Sequence, residues 1–462
     1  MKIRKPVARA VLVLLLAVGA AGAHALDLAQ AWRAAQAADP QVAVANAAAQ
    51  AGAARRQQAA ALWRPQVMLG ASAGLAGADS ASTGAHFAAP GIPASNGVDF
   101  NTSVNTGVST RWNVSARQSL RSGERSAQTR QLELAADMAE LQAHSARSDL
   151  LLLTARRYFD LVLAQHNLDL LRQQQGAVNR ALTEAQDRFA LGDKPVTDTY
   201  EARARAFALQ AQVLGAENTL AVAQRVLAQS TGVPQSQLQV LPPANAAGTD
   251  AGASRSLEQW QFQALESNLA LRLQALRVQS AQVEAAKYSA AASSTLDLVA
   301  QIGQDRISGD GDFGSASNTS GQRMVGVQWS MPVFTGGIRD ARQQEALRLQ
   351  DQVQAELEYA RQQTAQQVQS AWLALKTGPA RLAALAAAQQ ASTARQDATQ
   401  LGRQLGDRTT LDLLQAENDA GAAALALVQA RSELLLARLQ LSALAGILDD
   451  AQLEVVNAQL QR

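Results

Sequence analysis

The sequence predicts a mainly α-helical chain with a transmembrane β part, built as one unit used twice: long antiparallel coiled-coil hairpins plus four strands. Three observations predict this: an internal repeat, two very long helices with heptad seams, and two pairs of strands with period-2 patterning.

The repeat comes first. Shifting the chain by 214 residues places Leu191-Gly192-Asp193-Lys194 on Leu405-Gly406-Asp407-Arg408 and Asp198 on Asp412. The same shift puts Gly123 on Gly337, Arg125 on Arg339 and Gly232 on Gly446, with no gap between.

The helices of each repeat share a register. Ala202, Ala206, Leu209, Val213, Ala216, Leu220, Ala223 and Leu227 alternate steps of four and three, as do Ala416, Ala420, Ala423, Leu427, Ala430, Leu434, Ala437 and Leu441. Leu161, Ala164, Leu168, Leu171, Val178, Leu182, Ala185 and Phe189 fit a seam before the first turn. Alanine at such seams lets helix axes approach closely. The first long helix, about Glu124 to Ala190, has no proline; its ~65 residues at ~1.5 Å each reach roughly 100 Å. The second runs from Ile338 to about Gln404, with Gly378-Pro379 as its expected kink.

Strands are expected at about 66–77, 104–120, 295–305 and 323–334. In the second, Val104, Val108, Trp112, Val114, Ala116 and Leu120 face one side, opposite Asn105, Ser109, Arg111, Asn113, Ser115 and Arg117. Such alternation suits a barrel wall with one face on lipid and one on a lumen, although a soluble sheet shows it too. Four strands cannot close a barrel, and an open edge in lipid leaves backbone groups unpaired. Strands that span a membrane here therefore require several chains in one barrel. The Gly/Ser/Ala/Asp-rich segments Asp79–Phe100 and Arg306–Gly321 read as exposed loops.

The N-terminus indicates export. Lys2, Arg4, Lys5 and Arg9 precede an apolar run from Ala10 to Gly22, and Ala23-His24-Ala25 offers a small-x-small cleavage pattern. The expected organisation is thus 1–25 signal peptide, 26–241 first repeat (hairpin about 124–232), 242–254 linker, 255–448 second repeat (hairpin about 338–446) and 449–462 C-terminal tail. Beyond the signal peptide no stretch reads as a transmembrane helix. The net charge of +2 includes four basic and no acidic residues in the first 25, so the remainder carries −2 and gives no case for nucleic-acid binding. With no cysteine there is no thiolate nucleophile, disulfide or cysteine zinc site.

Catalytic patterns fail on context. Gly70-Ala71-Ser72-Ala73-Gly74 matches a nucleophile elbow but lies inside an alternating strand rather than at a strand-to-helix turn. Gly309-Asp310-Gly311-Asp312-Phe313-Gly314 matches a dinucleotide fingerprint with no helix behind it; as a loop tip it leaves open an ion site through Asp310 and Asp312. No enzyme and no cofactor is expected.

Several segments resemble the TolC family of outer-membrane factors: the opening Leu26-Asp27-Leu28-Ala29 with Asp39-Pro40, the joint Pro332-Val333-Phe334-Thr335-Gly336-Gly337-Ile338-Arg339, and the two Leu-Gly-Asp turns. The first-repeat joint, Leu120-Arg121-Ser122-Gly123, is a weaker match, with serine in place of the first glycine. The resemblance covers roughly Leu26 to Leu448. It implies a homotrimer sharing a twelve-stranded barrel in outer-membrane lipid, with a helical tunnel extending into the periplasm. The implied function is a gated exit duct for tripartite efflux or type I protein secretion. Its implied partners are a periplasmic membrane-fusion adaptor and an inner-membrane ABC or proton-driven transporter.

By the same resemblance, Leu191, Gly192, Leu405 and Gly406 mark adaptor-docking tips, though the glycines also serve as plain turn formers. Asp397 falls at an aperture position, with Gln400 where a further acid is expected, and a ring of three carboxylates attracts cations. Arg408 and Asp412 are candidates for links that hold the tips shut. The alternative is a soluble periplasmic coiled-coil scaffold or adaptor, which explains the hairpins but not the amphipathic strands. The cargo stays open.

Overall fold

The computed structural model describes residues 26–193, 195–244, 255–291, 293–312 and 314–460. The expected signal peptide and most of the linker, 245–254, lie outside them. The elements run α1 (Leu28–Ala38), α2 (Pro40–Ala61), β1 (Gln66–Ala89), β2 (Ile92–Arg121), α3 (Gly123–Ala190) and α4 (Val196–Thr231). They continue with α5 (Leu257–Ser267), α6 (Leu269–Ala290), β3 (Thr295–Gly311), β4 (Gly314–Ser330), α7 (Ile338–Leu405), α8 (Thr410–Leu444) and α9 (Asp450–Asn457).

The duplication is visible element by element. α1 and α5 each have 11 residues, α2 and α6 each 22, α3 and α7 each 68. Asp27 and Ser256 both start their helices with a capping box, closed by Gln30 and Gln259. These positions differ by 229, not 214. The offset drops by 15 between β1 and the long helix, because the first β-hairpin is longer than the second by more than the second repeat's longer joint makes up.

One compact unit comprises the described residues of 26–50, 139–275 and 356–460; its core joins residues from α1, α3, α5, α7, α8 and α9. Trp32, Tyr158, Phe159, Val368, Leu435, Leu439 and Leu441 are all buried there, and each large apolar side chain so buried contributes ~1.5–3 kcal/mol. α8 is long and apolar enough to cross a membrane, with a window of mean hydropathy 1.3, contrary to the reading that no such stretch exists. Leu427, Leu434 and Leu441 explain that apolarity as core packing. The expected tail is also built in: α9 buries Leu453 and Val456, and Leu460 bridges to Pro243. α7 runs through Pro379 as one helix. The seams hold, with Leu161, Leu168, Val178, Leu209, Val213 and Leu227 buried, but Phe189 is exposed rather than in its seam.

The second unit, residues 51–138 and 276–355, holds the sheet. Its order is β1-β2-β3-β4, antiparallel throughout. The segments expected as loops are mostly strand: β1 and β2 pair up to Ala89 opposite Ile92, and β3 and β4 up to Gly311 opposite Gly314. Backbone pairing and tight turns sustain a hairpin whose side chains are small and polar on both faces. β2 continues to Arg121 while β4 stops at Ser330, since Pro332 has no N–H to donate. At the β2–α3 joint the buried Ser122 accepts from the Arg125 amide, so the serine caps the helix. The second joint instead turns through Gly336 and Gly337, both at positive φ.

Candidate functional site

The sheet has one apolar face. Register aligns Leu69, Val114 and Ile302 in one row, and Val67, Ala116, Ala300 and Val325 in another. Leu75, Val108, Trp112, Leu298, Val327 and Trp329 extend it, and all six are exposed. From Val67 to Leu75 the band matches the ~9–11 residues of a tilted transmembrane strand. Two cross-strand ion pairs lie on the opposite face: Arg117 to Asp297 at 2.5 Å, and Arg111 to Asp305. Val104 does not join the apolar face as expected; it is 3% exposed against 56% for Val108. A register shift between Ala76 and Ala78 rotates the strand there, and another at Ser119/Arg121 breaks the alternation before Leu120.

The Gly-Asp-rich motif has a packing role. A Cβ at Gly311 would sit 1.7 Å from the Ser103 carbonyl oxygen, so only glycine lets β3 lie this close to β2. Asp312 accepts from Asn105 Nδ2 at 2.7 Å, and its amide donates to Ser103 Oγ at 2.9 Å. The carboxylate that was open as an ion ligand thus pins the hairpin end to β2. Among the described residues no group of three or more His, Asp or Glu side chains is placed to hold a metal.

Both Leu-Gly-Asp turns are Schellman motifs. Asp193 N–H donates to the Arg188 carbonyl and Gly192 N–H to that of Phe189; Asp407 pairs with Gly402 and Gly406 with Arg403 in the same pattern. Gly192 and Gly406 have φ of 80° and 88°, which a side chain disfavours. Turn formation therefore accounts fully for the glycines. It does not account for Leu191 and Leu405, which are 77% and 70% exposed.

Between the turns lies a groove of about 360 Å³ lined by Glu184, Arg188, Asp198, Arg403, Arg408 and Leu411 among others. Glu184 bridges Arg188 of its own helix and Arg403 of α7, each at 2.9 Å. This link between the two hairpins was missed from sequence, since nothing in either segment names its partner.

Asp412 serves its own helix. It closes a capping box with Thr409, accepting from that residue's amide and hydroxyl at 2.9 Å. These bonds, the backbone one foremost, hold its carboxyl below the usual range. The signature Thr409-Thr410-Leu411-Asp412 was available in the sequence. Arg408 forms no ion pair with Asp412 among the described residues, although its charge also helps to lower that carboxyl. Asp397 is exposed on α7.

The family model described as outer membrane efflux protein matches residues 31–233 and 260–447. The chain belongs to the outer membrane efflux protein family. Family members are channels rather than enzymes, and this is an outer-membrane protein. Among curated relatives, the outer membrane protein TolC of Vibrio cholerae is 29% identical over 335 residues, covering 71% of this chain and 75% of that protein. The proteases secretion protein PrtF of Dickeya chrysanthemi is 27% identical over 329 residues, covering 70% of each. The Campylobacter jejuni CmeC outer membrane channel superposes with a TM-score of 0.73 at 15% identity, covering 94% of this chain and 90% of that one. VceC of Vibrio cholerae gives 0.69 at 18% identity, with coverage of 91% and 96%. These two likenesses establish the fold: long helical hairpins with a four-stranded antiparallel contribution.

Proposed function

We propose that three copies of this chain close one twelve-stranded barrel and form an exit duct for tripartite efflux or type I secretion. The observation that carries this is an outward apolar band on a four-stranded sheet whose edge strands, β1 and β4, each have an unpaired side. In lipid both edges need partners, and β4 of one copy meeting β1 of the next supplies them. A soluble scaffold has no use for exposed Val67, Leu69, Val325, Val327 and Trp329.

The helices attach at the Gln66, Arg121, Thr295 and Ser330 ends of the strands, so that end of the sheet faces the periplasm. The Leu191-Gly192 and Leu405-Gly406 turns are the docking points for a periplasmic adaptor, and the exposed leucines support that reading. An inner-membrane ABC or proton-driven transporter supplies energy. Relatives are named for both protease secretion and efflux, so both cargo classes fit the same duct. Asp397 lines the closed aperture, and the Glu184–Arg403 pair helps to hold the hairpins together until the adaptor engages. Arg408, outside the capping box, remains a candidate closing contact to a neighbouring copy.

Insertion of the purified protein into planar bilayers tests the duct. Small, cation-preferring conductance steps are expected; failure to insert at any concentration would count against it.

A further inference from the structure

The repeat relates two helix joints, of which one chain makes only one. Within the chain α8 packs on α3: a Cβ at Gly421 would lie 2.1 Å from Leu170 Cδ1, and Gln174 Nε2 donates to Asn418 Oδ1 at 3.1 Å. Leucine is the knob and glycine the hole. Moving each partner by the 214-residue repeat sends Leu170 to Ala384 on α7 and Gly421 to Phe207 on α4. The large and small residues have exchanged sides.

The neighbouring positions do not exchange sides: one pair keeps its small residue on the first helix and its large residue on the second, and the other loses its polarity. Ala177 and Leu414 map to Ala391 and Tyr200, while Gln174 and Asn418 map to Ala388 and Ala204. A polar contact thus becomes an alanine pair. On α4, Tyr200, Phe207 and Leu214 are spaced seven apart on one face and are 59%, 64% and 59% exposed. On α7, Ala384, Ala388 and Ala391 are exposed too. A single chain therefore presents a row of large apolar knobs on one helix and a row of small holes on another, and joins neither.

We propose that Phe207 of one copy packs against Ala384 of the next, as the between-chain counterpart of the Leu170–Gly421 joint, and that this exchange of knob and hole keeps the two joints distinct. A second copy joining through the wrong repeat would set Phe207 against Leu170, two knobs, or Ala384 against Gly421, two holes. The ring then alternates within-chain and between-chain joints. This rests on the trimer reading and goes beyond it by naming the register and the residues that select it.

The chain has no cysteine, so paired cysteines report contacts cleanly. In full-length protein purified from outer membranes, Phe207→Cys with Ala384→Cys should oxidise to a covalent trimer on non-reducing denaturing gels. Leu170→Cys with Gly421→Cys should lose its free thiols while staying a single-chain band. Ala384→Phe alone should lower the trimer yield at least tenfold, and Phe207→Ala added to it should restore most of it. If the unmodified protein is a trimer by light scattering but the 207/384 pair keeps free thiols, the register is wrong and the trimer reading stands. A monomeric unmodified protein would overturn both.

Discussion

The Tyr158 hydroxyl accepts a 2.9 Å hydrogen bond from the Leu241 amide. It also lies 3.0 Å from the carbonyl oxygen of Leu26, whose own amide donates to Gln239. One buried phenol on α3 thereby fastens Leu26 and the segment at Leu241 to the same helix. Burial raises its pKa well above the ordinary tyrosine value, so the hydroxyl stays protonated through the range in which the protein works.

Tyr158→Phe leaves the Leu241 amide without its partner in a buried setting. A loss of about 1–3 kcal/mol is expected, read as a lower denaturation midpoint with the fold retained by circular dichroism.

Two kinds of glycine should respond differently to alanine. At Gly192 and Gly406 no atom lies within 4 Å of an added Cβ, so only the left-handed backbone is strained, at ~1–2 kcal/mol each. Faster amide exchange confined to the tips is expected. Gly421→Ala drives a methyl into Leu170 and should cost ~1–3 kcal/mol through overpacking, with the disturbance spread along α3 and α8.

Leu191→Ser and Leu405→Ser should leave thermal stability within about 0.5 kcal/mol, as expected for exposed positions, and yet abolish adaptor capture in a purified cross-linking assay. Equal capture by variant and unmodified protein would remove the docking assignment.

Charge at the tips should act on conductance more than on stability. The half-buried Glu184–Arg403 pair still has solvent on both members and is worth about 1 kcal/mol at most, but Arg403→Ala should raise single-channel conductance by loosening the hairpins. Asp397→Lys should reduce cation preference in the same recordings. Unchanged currents would dissociate both residues from the aperture.

The capping box gives a pH dependence with a definite sign. The folded pKa of Asp412 is depressed, chiefly by the Thr409 amide, so its contribution is present above the ordinary carboxylate pKa and is lost as pH falls through the lower folded value. Amide protection in the first turn of α8 should fall on acidification below about pH 4, and Asp412→Asn should weaken that dependence.

Most of the helical architecture is legible in the sequence because heptad seams and Leu-Gly-Asp turns are local patterns with strong periodicity. The 214-residue shift finds the hairpins, but it misses the 229-residue offset of α1, α2, α5 and α6, because the longer first β-hairpin lies between. The strands beyond the apolar band escape notice for a different reason: from Asp79 to Phe100, small and polar residues replace the alternation on which a strand assignment depends. Val104 is misplaced because a one-residue register shift reverses faces without leaving a mark in composition. At the tips, the role of Asp412 was readable from Thr409 three residues before it. Glu184 and Arg403 were not readable as a pair, since their contact depends on how two hairpins meet.

The mass of the detergent-extracted particle, measured by light scattering corrected for bound detergent, tests the central claim most directly. Three protomers per particle, from a membrane fraction that resists salt and urea, is the predicted result. A water-soluble monomer released by those washes would contradict it.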